Sequence, residues 1–247
     1  MAAQQGFQYE KNAAEALIPL GFVPVGFTPA GAGSSVPDLM IMRGESKPVG
    51  CELKITDASA GSLVLKYNPK TKKWAFDPKS KDDPEKAFIM GVAESVGLFK
   101  EINAKWNKTP YRLDKEFQTP QWKKMVEGIP NQARYERDLT TFPELKGDIS
   151  PSKVEQYYNK KDTYYVNIGT HGFYLFGGLN PLKFTGVPKF SSSSTAGWRA
   201  RVQYKGSGNY QFTFEMNFRM RAKSPFNIAP ITKTSVEILN NNIKLPL

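Results

Sequence analysis

Asp38, Glu52 and Lys54 sit in "PDLMIMRGESKPVGCELKIT", residues 37–56, a stretch that otherwise reads as two short apolar strands joined by a polar turn. Side chains alternate along a strand, so Glu52 and Lys54 share one face while Cys51, Leu53 and Ile55 point the other way. Antiparallel partners have a constant residue-number sum, and the connection "RGESKP" allows sums near 90 to 92. At either even value Asp38 falls opposite or diagonal to Glu52 on the same face. Two carboxylates that close repel, and the repulsion is relieved by a cation between them. Mg²⁺ suits such a pair because it binds through one or two carboxylates and keeps its other positions for water and substrate phosphate. Lys54 can then orient or activate a water and stabilise charge that builds on phosphorus.

Other chemistries lack their residues. One cysteine, Cys51, and one histidine, His171, cannot make an internal disulfide or a Cys/His zinc site. A Ser-His or Cys-His enzyme would depend on His171, which lies in "IGTHGFYLFGG" without a nucleophile elbow and reads as a strand-end or turn residue. Neither a Walker-type phosphate loop nor a GxGxxG turn is present. Carboxylates, lysines and a hard metal are what remains.

The surrounding elements must hold these groups. Phe7, Ala14, Leu17 and Ile18 fall at helical spacing and predict a helix over 7–20, ended by Pro19 and Gly21. "FTPAGAGSSVP", 27–37, is a loop of small residues that can approach a ligand closely. The opening hairpin has strands near 38–42 and 49–56, and "SLVLKYNPKTKKWAF" predicts a second hairpin turning at "NPKTKK". Asp82 or Asp83 can cap, and Pro84 can open, a long helix ending near residue 106. Residues 107–160 mix lysine, arginine and aromatics without a readable period. "DTYYVNIG" and "GFYLFGG" read as two further strands separated near Gly169 to Gly172.

Near the C-terminus, Trp198, Ala200, Val202 and Tyr204, then Tyr210, Phe212, Phe214, Met216, Phe218 and Met220, alternate around "GSG" at 206–208. This predicts a hairpin with one buried and one wet face. The wet face includes Arg199, Arg201, Lys205, Arg219 and Arg221, a track that could follow phosphates, as could Lys72 and Lys73 of the second hairpin. With 34 Lys and Arg against 23 Asp and Glu, the net charge of +11 favours a polyanionic partner, expected to be DNA. No apolar run is long enough to span a membrane and "MAAQQGFQYEKN" does not read as a signal peptide, so an intracellular protein is expected.

Pro37-Asp38 followed by Glu52-Leu53-Lys54 resembles the signature of the PD-(D/E)XK nucleases, which include restriction endonucleases and Holliday-junction resolvases. "GFQYE", residues 6–10, is similar to the start of the first helix in the resolvase branch, and "GAGSSVPD" to that branch's approach to its aspartate. The resemblance implies an α/β mixed-sheet, restriction-endonuclease-like core of helix, three strands, helix and strand. It implies Asp38 and Glu52 on Mg²⁺, with Mn²⁺ as a substitute, Glu10 as a third carboxylate, and Lys54 at the attacking metal-bound water. Glu15 on the same helix could serve in place of Glu10.

The expected organisation is a nuclease core over 1–178, carrying 107–160 as an insertion, and a β-rich extension over 179–247 that no family pattern explains. The expected activity is Mg²⁺-dependent DNA cleavage leaving 5′-phosphate and 3′-hydroxyl ends, either sequence-specific or junction-specific, the latter suited to a homodimer. Two alternatives make other expectations. A nucleic-acid-binding protein without catalysis would ignore Mg²⁺, and an edge hairpin bearing ordinary surface ion pairs would leave Asp38, Glu52 and Lys54 solvated.

Overall fold

The computed structural model describes residues 2–29, 36–111, 129–206, 209–231 and 242–246. Most of the glycine/serine loop before Asp38, the turn at 207–208 and residues 112–128 of the stretch 107–160 therefore lie outside the described residues. In chain order the first elements are α1 (Ala2–Leu17), β1 (Leu39–Ile41), β2 (Val49–Lys54), β3 (Ser59–Asn68), β4 (Lys73–Phe76), α2 (Pro84–Ser95) and α3 (Leu98–Lys105). There follow α4 (Ile129–Thr141), β5 (Leu145–Ile149), α5 (Pro151–Asn159), β6 (Thr163–Ile168), β7 (Gly172–Leu175), α6 (Phe190–Ser193), β8 (Ser194–Gly206) and β9 (Asn209–Met220). The class is α/β with mixed strand pairing, as expected.

Two compact units share these elements, and the chain passes between them at four places: Met1–Ala58, Ser150–Ala196 and Phe218–Leu247 form one, and Ser59–Ile149 with Gly197–Asn217 the other. The first is built on a four-stranded sheet in the order β1-β2-β6-β7. β1 and β2 are antiparallel, with Leu39 opposite Cys51 and Ile41 opposite Val49, so the register sum is 90. β2 and β6 are parallel, Glu52 beside Val166 and Leu53 beside Asn167. A parallel pair cannot be closed by a tight turn, and the chain returns to β6 through α5. Helix, strand pair, helix and strand thus occur in the order of a restriction-endonuclease-like core. The third strand departs from it, since β3 pairs in the other sheet.

α1 lays Ala13, Ala14 and Leu17 onto this sheet, joining Leu39, Ile41, Cys51, Leu53, Tyr165 and Phe173 in one apolar core. Phe7, expected on the buried stripe, is exposed, and Tyr9 is buried instead. The helix ends at Leu17 rather than 20 because Pro19 disfavours helical backbone at the residue before it. The chain then turns, with the Phe22 N–H donating to the Leu17 carbonyl.

The second unit holds a five-stranded sheet in the order β4-β3-β9-β8-β5. The β3/β4 hairpin is the one expected, pairing Leu65 with Phe76 and Asn68 with Lys73. Trp74, Trp106, Phe142 and Phe212 pack mainly edge to face in its core, and the Trp74 indole donates to the Trp106 carbonyl at 3.0 Å. The single helix expected up to 106 is two. Asp83 caps α2 by accepting from the Glu85 and Lys86 amides, as its position suggested, but Gly97 at φ +67° breaks the rod before α3.

The wet face expected of the β8/β9 pair also needs correction. Trp198, Ala200, Val202, Phe212, Phe214 and Met216 are buried as alternation requires, yet Thr213 and Glu215 on the opposite face are buried too. Arg199 and Arg201 are paired with Glu215, the latter at 3.2 Å. A central strand covered by long neighbouring side chains loses its solvent on both faces even though its letters alternate.

Candidate active site

Of the charged residues that opened the sequence, Glu52 and Lys54 lie on an interior strand. β2 is flanked by β1 and β6, and Cys51, Glu52 and Leu53 are all buried, Glu52 with only 6% of its surface exposed. Glu52 is therefore not a solvated surface residue, although β1 of this hairpin is the edge of its sheet.

Continuing the β1/β2 register by one residue sets Asp38 opposite Glu52. Gly50 permits the approach: a Cβ there would lie 2.6 Å from Pro37 Cγ, 2.7 Å from the Asp162 carbonyl and 2.9 Å from Thr163 Oγ1. Asp38 is then held by the Leu53 amide, which donates to its Oδ2 at 2.8 Å. Glu52 Oε1 accepts from the Lys54 ammonium and, at 3.3 Å, from the Tyr158 hydroxyl. Asp38 Oδ1 and Glu52 Oε2 have no hydrogen-bond partner among the described residues.

The electrostatics are those of crowded carboxylates with too little positive charge. Burial, and then the neighbouring Glu52, push the Asp38 carboxyl up to about 7 against the pull of Lys54 and the Leu53 amide. Glu10 is raised by burial, with Lys54 opposing and Glu52 adding to the shift. Burial alone would lower Lys54, but Glu52, Asp38 and Glu10 together outweigh it and hold the ammonium above its ordinary value. Glu10, Asp38, Glu52 and Lys54 therefore form one interacting group. Glu15 pairs instead with Lys11 on the exposed side of α1.

Among the described residues, no three His, Cys, Asp or Glu side chains gather closely enough to hold a metal by themselves. Asp38 and Glu52, each with an oxygen to spare, still fit a hard cation that completes its sphere with water and phosphate.

Three contributing residues were not singled out from the sequence. Tyr158 falls in the stretch that showed no period. Asn167 is fully buried on β6, where its side-chain amide donates to the Tyr9 hydroxyl at 3.2 Å and to the Ala229 carbonyl at 3.0 Å. Tyr9 also donates to Ala229, so α1, and Glu10 with it, is pinned to the sheet beside β2. One polar residue inside the apolar run "TYYVNI" was the available signal, because a buried amide must find partners.

The residues offered for phosphate contact are of several kinds. Lys72, Lys73, Arg219 and Arg221 are exposed, whereas Arg199 and Arg201 are engaged by Glu215. The Lys205 side chain lies outside the described residues. His171 sits in the β6/β7 turn as expected, its Nδ1 2.8 Å from Thr170 Oγ1, and Cys51 is buried and free. No described helix is long and apolar enough to cross a membrane.

No family model matches this chain and no curated protein matches it. Among solved structures it is similar to HhaI endonuclease in complex with DNA, at 13% identity and a TM-score of 0.43 over 95% of each chain.

Proposed function

We propose that this protein is a divalent-metal-dependent endodeoxyribonuclease that hydrolyses phosphodiester bonds. The observation that carries the reading is a buried glutamate on an interior strand with a half-buried aspartate set opposite it, each keeping an oxygen free, and a lysine beside them. Buried charge is costly and is retained where it has partners or work to do.

Asp38 and Glu52 would hold the cation, Mg²⁺ or in its place Mn²⁺, and Glu10 would act at its edge directly or through a water. The ion, when bound, supplies Lewis acidity to the scissile phosphate and to the attacking water. Lys54, kept protonated by its three carboxylate neighbours, donates to that water, sets its line of approach and favours its deprotonated form. The same ammonium offsets charge on the phosphorane as the 3′-oxygen leaves. Lys72, Lys73, Arg219 and Arg221 are exposed and suited to the DNA backbone.

The test is cleavage of supercoiled plasmid, linear duplex, single strand and a four-way junction across stepped Mg²⁺ concentrations and with chelator, beside Lys54→Ala. Mg²⁺-dependent cutting that falls at least about a hundredfold in the variant is expected, from the charge stabilisation removed. Binding of the panel without cutting under any divalent metal would move the protein to the second reading, a DNA-binding protein. That reading is favoured by the Lys54–Glu52 ion pair, which can be purely structural.

A further inference from the structure

The two donors on Glu52 Oε1 differ in freedom. Lys54 has a long stem, and 22% of its side chain is exposed. It can swing toward a water without disturbing the core. Tyr158 cannot move in this way. It projects from α5 with 2% of its surface exposed, its ring stacked on Phe176 at 4.6 Å and 7° and met edge-on by Tyr157 at 5.1 Å. Its hydroxyl, 3.3 Å from Oε1, is thus held in place by its ring packing rather than by Lys54.

We infer that Tyr158 is a positioning residue: its hydroxyl keeps Glu52 Oε1 hydrogen-bonded, so that Glu52 meets a divalent cation through Oε2 alone. The inference rests on the nuclease reading of the Asp38–Glu52 pair. A glutamate otherwise has freedom to rotate about its last bond and offer either oxygen or both. Holding one oxygen removes that choice before the metal arrives. A group that orients a ligand from behind in this way commonly contributes ten- to a hundredfold in metal affinity, by general experience of such outer contacts. Asp38 is held in the same manner by the Leu53 amide on Oδ2, so each carboxylate is left with one oxygen free.

The experiment is Mn²⁺ titration of the intact protein by calorimetry at low temperature, with Tyr158→Phe, Tyr165→Phe and Asp38→Asn in parallel and thermal unfolding in chelator as the check on folding. Tyr158→Phe keeps the ring stack and removes only the donor. Tyr165→Phe is the matched control, because it also removes a buried hydroxyl of this unit, one bonded to Asn180 at 2.8 Å. Mn²⁺ affinity should fall about tenfold in Tyr158→Phe and stay within twofold of the parent in Tyr165→Phe. In cleavage assays, half-saturating Mg²⁺ should rise by the same factor while the rate at saturating metal changes less than about threefold. Unchanged Mn²⁺ affinity in Tyr158→Phe, or an equal loss in Tyr165→Phe, would overturn the inference while Asp38→Asn, if it abolishes binding, leaves the metal reading intact. An intact protein that binds no Mn²⁺ would overturn both.

Discussion

Asp38 is a carboxyl whose charge state is set by what surrounds it. With its carboxyl at about 7, folded protein keeps a proton there between roughly pH 4 and 7 that the unfolded chain releases. The stability this group contributes is therefore full at acid pH and lost as pH rises through about 7. In chelator, Asp38→Asn, which cannot ionise yet still accepts from the Leu53 amide, should gain roughly 5–10 °C in Tm over the parent between pH 5 and pH 8, from about 1.4 kcal/mol per pH unit up to the folded value. Mg²⁺ added at pH 8 should raise the parent's Tm and leave the variant's where it was. Two thermal scans at each pH decide this, and parallel curves for the two proteins would refute it. Metal affinity should also rise between pH 6 and 8, because the cation competes with that proton.

At the scale of elements, Gly50 shows how a strand admits a site. A methyl group there meets Pro37, Asp162 and Thr163 at under 3 Å, so Gly50→Ala must push the Pro37–Asp38 segment off β2 or part β2 from β6. A loss of about 1–3 kcal/mol in urea unfolding, together with loss of metal binding, is expected; retention of full metal affinity would show that Asp38 does not depend on this approach. Much of this region was legible because strand alternation and turn length constrain a hairpin locally. Pro37, Asp38, Glu52 and Lys54 could be set on facing strands with a register sum of 90 among the allowed values. Asp83 and Pro84 announced the start of α2, but nothing in the letters around Val96 and Gly97 distinguished a break from a tolerated helical glycine. Burial by distant segments was harder to see. Glu215 reads as a solvent-facing residue until Arg199 and Arg201 are known to cover it, and Tyr158 had no periodic neighbours to place it near Glu52.

For the whole molecule, a net charge of +11 is a statement about association rather than fold. If about four phosphates are neutralised, affinity for duplex DNA should fall about a hundredfold between 50 and 200 mM salt, and more contacts steepen the slope. Arg219→Ala with Arg221→Ala should reduce that slope by about two while Tm stays put, since both side chains are exposed. Arg199→Ala should do the reverse, lowering Tm because buried Glu215 loses a partner and changing the salt slope little. Fluorescence anisotropy at four salt concentrations separates the cases, and a large slope change in Arg199→Ala would return that arginine to the phosphate track.

The hydroxyl of Tyr9 closes a contact with Ala229, 220 residues away along the chain. A ribosome delivers the second of them 220 residues after the first. For most of that time α1 has neither Asn167 nor the Ala229 carbonyl to fasten it, and Glu10 has no fixed place beside Asp38 and Glu52. The molecule's order of manufacture thus postpones assembly of the four charged groups until residue 229 has emerged. A nascent chain stalled before residue 229 would carry all four and still lack the clasp that sets their helix in position.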